Sequence, residues 1–159
     1  MTLAHPFEWS DYIRLADELS QAKSDLASLR TAISRAYYYV FHLAMKRARM
    51  NNFIALPGGA SHAQLWTLYA RNPDPLCAKL GQMGERLKEK RRMADYEEQF
   101  PRLADEVAGV LADALDFARR LDSPPKVSES QERSILMPRH VLHRLHALPK
   151  MEEPQRPFR

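Results

Sequence analysis

The sequence predicts an all-α protein: an up-and-down antiparallel bundle of four to five helices over residues 1–122, followed by a proline-containing tail over residues 123–159. Three observations predict it. Apolar residues return at helical spacing in five successive segments. No run alternates apolar and polar residues with β-branched enrichment, so no strand is expected. Proline-rich breaks at Asn72-Pro73-Asp74-Pro75 and Ser123-Pro124-Pro125-Lys126, and a glycine break at Leu56-Pro57-Gly58-Gly59-Ala60, cut the chain between those segments. At 159 residues the chain is long enough for one domain with a real core.

The first helix is expected from Glu8 to Gln21, with Trp9, Tyr12, Ile13, Ala16 and Leu19 as its inner face. Ser24 caps a second, long helix that runs to Met50, with Leu26, Leu29, Ile33, Tyr37, Val40, Phe41 and Ala44 as its apolar stripe. Ser61 and Gln64 have capping-box spacing for a short third helix ending near Tyr69. Asp74 as N-cap and Pro75 at the first helical position open a fourth, to about Glu98. Pro101 opens the fifth, in which Leu103, Val107, Val110, Leu111, Leu115 and Phe117 face a core. Beyond Ser123 one short amphipathic helix, from about Glu129 to Leu148, interrupts a polar tail that orders against a partner.

Composition narrows the function classes. Apolar residues make up 45% and charged residues 28% of the chain, as in ordinary globular proteins. The formal charge of +4 suits an anionic partner without identifying one. Cys77 is the one cysteine, which excludes an intramolecular disulfide and a cysteine metal cluster. With no basic-then-apolar leader and no apolar run long enough to cross a bilayer, a cytoplasmic protein that does not engage membranes is expected.

The stretch with most chemistry is Ser34-Arg35-Ala36-Tyr37-Tyr38-Tyr39-Val40-Phe41-His42. Arg35 and His42 are two helical turns apart, so both leave one face, roughly 20° apart in azimuth and about 10 Å apart along the axis. A permanent cation and a group that titrates near neutrality thus share a stripe, an arrangement suited to a phosphate, or else Arg35 is a helix-surface cation and His42 a buried histidine bonded to a neighbour. Tyr38 lies on the same stripe, either to stack on a base or to pack at a helix interface. At least one of the three tyrosines belongs to the core, because successive helical residues step by about 100°.

The segment from Leu29 to Met45 resembles the SRAYY–x–x–FH signature of HEPN-domain proteins. Two further pieces match one branch of that family in order: Ser61-His62 at the start of the third helix, and Arg91-Arg92-Met93-Ala94-Asp95-Tyr96, similar to its R-x-x-A-D-Y. The resemblance spans roughly Glu8 to Asp122. It implies a short helical bundle that dimerises and, in many members, a metal-independent endoribonuclease acting as a toxin in toxin–antitoxin pairs or as an anti-phage effector. The implied catalytic pair is Arg35 and His42, with six residues between them. The position after the arginine, often Asn, Asp or His in active members, holds Ala36. The second implied reading is a non-catalytic HEPN module that binds a partner protein or a nucleotide in a defence complex.

Further candidates follow from residue type. His62 either closes a pocket beside helix two or caps its own helix. Arg91 and Asp95 are one turn apart and pair with each other, or Asp95 orients a side chain on helix two; Tyr96 completes this supporting set. Lys46, Arg47 and Arg49 near the end of helix two, and Arg86, Lys88, Lys90 and Arg92 on helix four, are candidates for RNA backbone contacts, or for a solvated face with intrahelical pairing. His140, His143 and His146 recur every third residue, but without a suitable carboxylate no metal site is expected and no cofactor is implied. RNA, a second copy of the chain, and an antitoxin or defence-complex protein bound through the tail are the expected partners.

Overall fold

The computed structural model describes residues 6–22, 25–53 and 60–122. These form five helices and no strand: α1 (Ser10–Ser20), α2 (Leu26–Met50), α3 (Ala60–Ala70), α4 (Pro75–Tyr96) and α5 (Leu103–Asp122). The helical-bundle expectation is therefore met. The tail helix at Glu129–Leu148, its three histidines, and Ser24 lie outside the described residues.

The central element is α2, which packs against all four other helices. Its core face carries Leu29, Ala32, Ile33, Ala36, Tyr37, Val40, Phe41, Ala44, Met45 and Ala48. Four of these are alanines, and their small side chains let neighbouring backbones come close. Tyr37 is the core member of the tyrosine triplet, with none of its surface exposed. Trp66, Tyr37 and Phe117 are the largest fully buried side chains. At the α3–α4 contact two glycines leave room: a Cβ at Gly81 would lie 2.3 Å from the Ala70 backbone nitrogen, and one at Gly84 would lie 2.2 Å from the Trp66 ring, which fills that space.

Several boundaries differ from expectation for identifiable reasons. Asp25 is the N-cap of α2: its carboxylate accepts from the Ala27 N–H at 3.0 Å. Ser61 does not cap, because α3 already includes Ala60 and Ser61 is inside the first turn. Asp74 and Pro75 open α4 as predicted, with Asp74 accepting from the Leu76 N–H at 2.8 Å. That helix ends at Tyr96, two residues early, and α5 starts at Leu103 after a left-handed turn at Arg102 (φ 56°). Two stripe assignments fail. Leu26 is 63% exposed in the first turn of α2, and Leu115 is 49% exposed on the outer side of α5. Both sit at the edge of their apolar arc, beyond the reach of a facing helix.

Candidate functional site

The polar stripe of α2 carries Arg35, Tyr38 and His42, all half-buried. Helix α1 lies across it. The Arg35 guanidinium sits over the ring of Tyr12, 4.9 Å from its centroid, and over the ring of Tyr38, 5.3 Å from its centroid. The imidazole of His42 is stacked on the indole of Trp9. Phe7, Trp9 and Tyr12 pack edge to face with one another, forming an aromatic roof over both residues.

Helix α4 supplies the opposite wall. Arg91 places its guanidinium 5.3 Å from the same Tyr38 ring and donates from Nη2 to the Tyr38 hydroxyl at 2.8 Å. Tyr38 therefore carries two guanidinium groups, Arg35 from its own helix and Arg91 from α4. Asp95 lies 2.7 Å from Arg91 Nε, so it pairs within its own helix and not with helix two. Arg91 Nε is nonetheless without a directed hydrogen bond, so that contact is one of charge. Tyr96 flanks Arg91 at 5.5 Å and is 70% exposed. From α3, His62 stacks on Phe41 at 4.0 Å and packs its ring against Tyr38. Its Nδ1 lies 2.7 Å from the Tyr37 hydroxyl. His62 thus flanks the stripe of α2 and does not serve as a helix cap.

Electrostatically the cluster is short of negative charge. Burial, then His62 and Arg49, depress the pKa of His42 to about 4, so its imidazole is neutral at pH 7. Burial, then Arg91 and Lys88, lower that of His62. Arg35 has no ion pair and no hydrogen bond among the described residues, and its Nε is buried without a partner. Neither ring nitrogen of His42 is engaged by a hydrogen bond from a described residue, and the side chain as a whole is half-buried. The arrangement offers an anion a guanidinium fork from Arg35, a second cation at Arg91, and an imidazole able to accept a proton.

The predicted backbone contacts divide. Lys88 pairs with Glu85 at 2.5 Å, Lys90 with Glu106 at 2.7 Å, and Arg92 with Glu89 and Glu97 at 2.8 and 2.6 Å. Their charge is already compensated, as on a solvated helix face. Lys46, Arg47, Arg49 and Arg86 make no ion pair among the described residues, and Arg49 is the one that acts on His42. Ala36 is fully buried, so a longer side chain at that position would enter the core and not the site.

Two contributions were not foreseen in the sequence. Trp9 and Tyr12 have the spacing of a core stripe, and they do face inward, yet what they cover is the Arg35–His42 pair. Arg30 carried no motif signal. It donates to the carbonyls of Ala94, Glu97 and Glu98 at 2.8, 2.6 and 2.9 Å, closing the C-terminus of α4 that bears Arg91 and Asp95. A groove of about 540 Å³ between Phe53 and the α3 residues Ala63, Gln64, Thr67 and Leu68 contains none of the predicted site residues. Among the described residues no group of three His, Cys, Asp or Glu could hold a metal, and no helix is long and apolar enough to cross a membrane. No family model, curated protein or solved structure matches this chain.

Proposed function

We propose that this chain is a HEPN-type, metal-independent endoribonuclease in which Arg35 holds the scissile phosphate and His42 moves the proton, acting as a toxin or anti-phage effector in the cytoplasm. The observation that carries the reading is the Arg35 guanidinium, which has no carboxylate partner among the described residues and whose Nε is buried without a hydrogen bond, on one helical stripe with His42. In an interior, a permanent charge left unpaired is costly, and an anionic ligand relieves it.

The chemistry needs only these groups. Neutral His42 accepts the proton of an RNA 2′-hydroxyl, whose oxygen attacks the adjacent phosphorus; the 5′-oxygen leaves and takes up a proton. Arg35, assisted by Arg91, offsets the charge that grows on the phosphoryl oxygens. The incoming phosphodiester raises the pKa of His42 from its depressed value, improving it as a base. A second copy of the chain would allow two His42 side chains to divide the roles of base and acid.

The stacking of Trp9 on His42 favours the second reading, a non-catalytic HEPN module for a partner protein or nucleotide, because one face of the ring is covered. The purified wild type, Arg35→Ala and His42→Ala proteins incubated with single-stranded RNA separate the two. Cleavage leaving 2′,3′-cyclic phosphate ends, lost in both variants together with growth arrest on expression, is the expected result. An intact RNA pool and unimpaired growth with the wild type would sink the enzyme.

A further inference from the structure

A hydrogen-bonded chain runs from the core to the edge of the site. Trp66 Nε1–H donates to the Tyr37 hydroxyl oxygen at 3.1 Å, and that hydroxyl lies 2.7 Å from His62 Nδ1. An indole nitrogen is a donor only, so the Tyr37 oxygen is the acceptor in the first link. The single hydroxyl hydrogen of Tyr37 is then available for the second link, and it is used there only when His62 Nδ1 is the acceptor. A neutral imidazole that accepts at Nδ1 carries its proton on Nε2.

We infer that His62 is a hydrogen-bond-donating member of the site, presented to a phosphate oxygen through Nε2–H, with Tyr37 and Trp66 as the residues that hold its tautomer. The inference rests on the endoribonuclease reading for its substrate, a phosphodiester, but not for its geometry. Tyr37 and Trp66 have no exposed surface, so the two links are sheltered from water. Phe41 covers one face of the His62 ring at 4.0 Å, which fixes its plane. The opposite ring nitrogen has no partner among the described residues. His62 packs edge-on to Tyr38, the ring that Arg35 and Arg91 both overlie.

The groups around His62 keep it neutral. From α2 these are Tyr37, Tyr38 and His42; from α4, Arg91 and Lys88, both cationic, which oppose a second proton along with burial. Protonation at Nδ1 would also turn that nitrogen into a donor facing an oxygen that already accepts from Trp66 and still carries its own hydrogen. A neutral donor suits the chemistry: it stabilises charge developing on oxygen without surrendering a proton, leaving proton transfer to His42.

The test uses the full chain labelled with ¹⁵N-histidine, with His62→Gln and His42→Gln to assign the rings. Long-range ¹H–¹⁵N spectra at pH 7.5 are expected to show His62 in the Nε2–H form, with its protonation displaced below the ordinary histidine range by burial and by Arg91 and Lys88. Inorganic phosphate, or 2′-O-methyl RNA that cannot be cleaved, is expected to shift Nε2. In Tyr37→Phe, checked for folding by circular dichroism, His62 should lose its single tautomer and show a mixture of Nδ1–H and Nε2–H forms. Against cleavable RNA, His62→Ala should lower kcat about 100-fold with KM nearly unchanged, and His62→Gln, which keeps an N–H donor, should recover part of that loss. A protonated Nδ1 in the wild type, an ordinary titration, or an Nε2 indifferent to both probes would overturn the inference even if RNA is cleaved. If the tautomer and the probe shifts are as stated but no RNA is cleaved, the nuclease reading fails and the donor site stands.

Discussion

The imidazole of His42 lies flat against the indole of Trp9, ring centroids 3.4 Å apart and planes 7° from parallel. Trp9 belongs to the turn that opens α1, so the first residues of the bundle govern the surroundings of His42.

This contact has a consequence for pH. Because the folded chain holds the pKa of His42 at about 4, below the unfolded value of about 6.5, the unfolded state binds more protons between those limits. Stability from this group is complete above pH 6.5 and falls as pH drops towards 4, by on the order of 1–3 kcal/mol. Depression of His62 acts in the same direction. Thermal melts from pH 7.5 to 4 should show His42→Gln losing less stability than the wild type over that window. Trp9→Ala should raise the His42 pKa towards its ordinary value and flatten the curve likewise. Parallel curves for wild type and His42→Gln would contradict the burial argument.

The two helical glycines of contrasting surroundings make a second prediction. A methyl group at Gly84 would meet the Trp66 ring at 2.2 Å, whereas nothing lies within 4 Å of one at Gly109. Trp66 is fully buried and donates to Tyr37, so it has little room to retreat. Gly84→Ala should destabilise by about 1–3 kcal/mol through overpacking. Gly109→Ala should stabilise by up to about 1 kcal/mol through helix propensity. Urea midpoints of the two variants are expected on opposite sides of the wild type.

Arg30 gives a third. Its guanidinium satisfies three backbone carbonyls beyond the reach of α4's own hydrogen bonds. Bonds to a charged donor contribute about 1.5–3 kcal/mol each at most and do not add fully. Arg30→Ala should therefore cost about 2–4 kcal/mol and speed amide exchange from Ala94 to Glu98 more than elsewhere. Arg30→Lys, with no planar fork, should recover only a small part. Uniform exchange along α4 in Arg30→Ala would show that this cap is dispensable.

What could be read before folding was set by period and by chemistry. The apolar spacing in α2 placed Leu29, Ile33, Tyr37, Val40, Phe41 and Ala44 correctly, because a central helix touched on several sides tolerates a broad stripe. The same reasoning misplaced Leu26 and Leu115, since spacing marks an arc but not where its edge meets solvent. The Asp74–Pro75 start was evident because both residues favour one helix position. The start of α2 was not, since a serine and an aspartate stood side by side and the stronger acceptor took the cap. Within the site, Arg35, Tyr38 and His42 follow from 3.6 residues per turn. The approach of Arg91 from α4, the roof of Trp9 and Tyr12, and the closure by Arg30 depend on packing between helices distant in sequence, which period alone does not encode.

The charge balance of the cluster gives the last prediction. Asp95 is the carboxylate paired to Arg91, and both side chains are about three-quarters buried, at 24% and 22% exposure. With Arg35 and Arg91 it leaves a formal charge of +2 − 1 = +1. Asp95→Asn raises that to +2 while keeping the side-chain shape, and Arg91 retains its hydrogen bond to Tyr38. Part of the field now spent on Asp95 becomes available to a bound phosphate. At low salt, affinity for 2′-O-methyl RNA should rise about three- to tenfold, the scale of one extra partly screened charge near the ligand. The gain should shrink at 0.5 M salt, where the screening length is only a few ångströms. Stability should fall by no more than about 1–2 kcal/mol, since the pair is partly solvated. Fluorescence anisotropy across a salt series measures the affinity. If Asp95 serves chiefly to aim Arg91 at the ligand, Asp95→Asn will weaken binding at every salt concentration, and the sign of the change at low salt decides between the two.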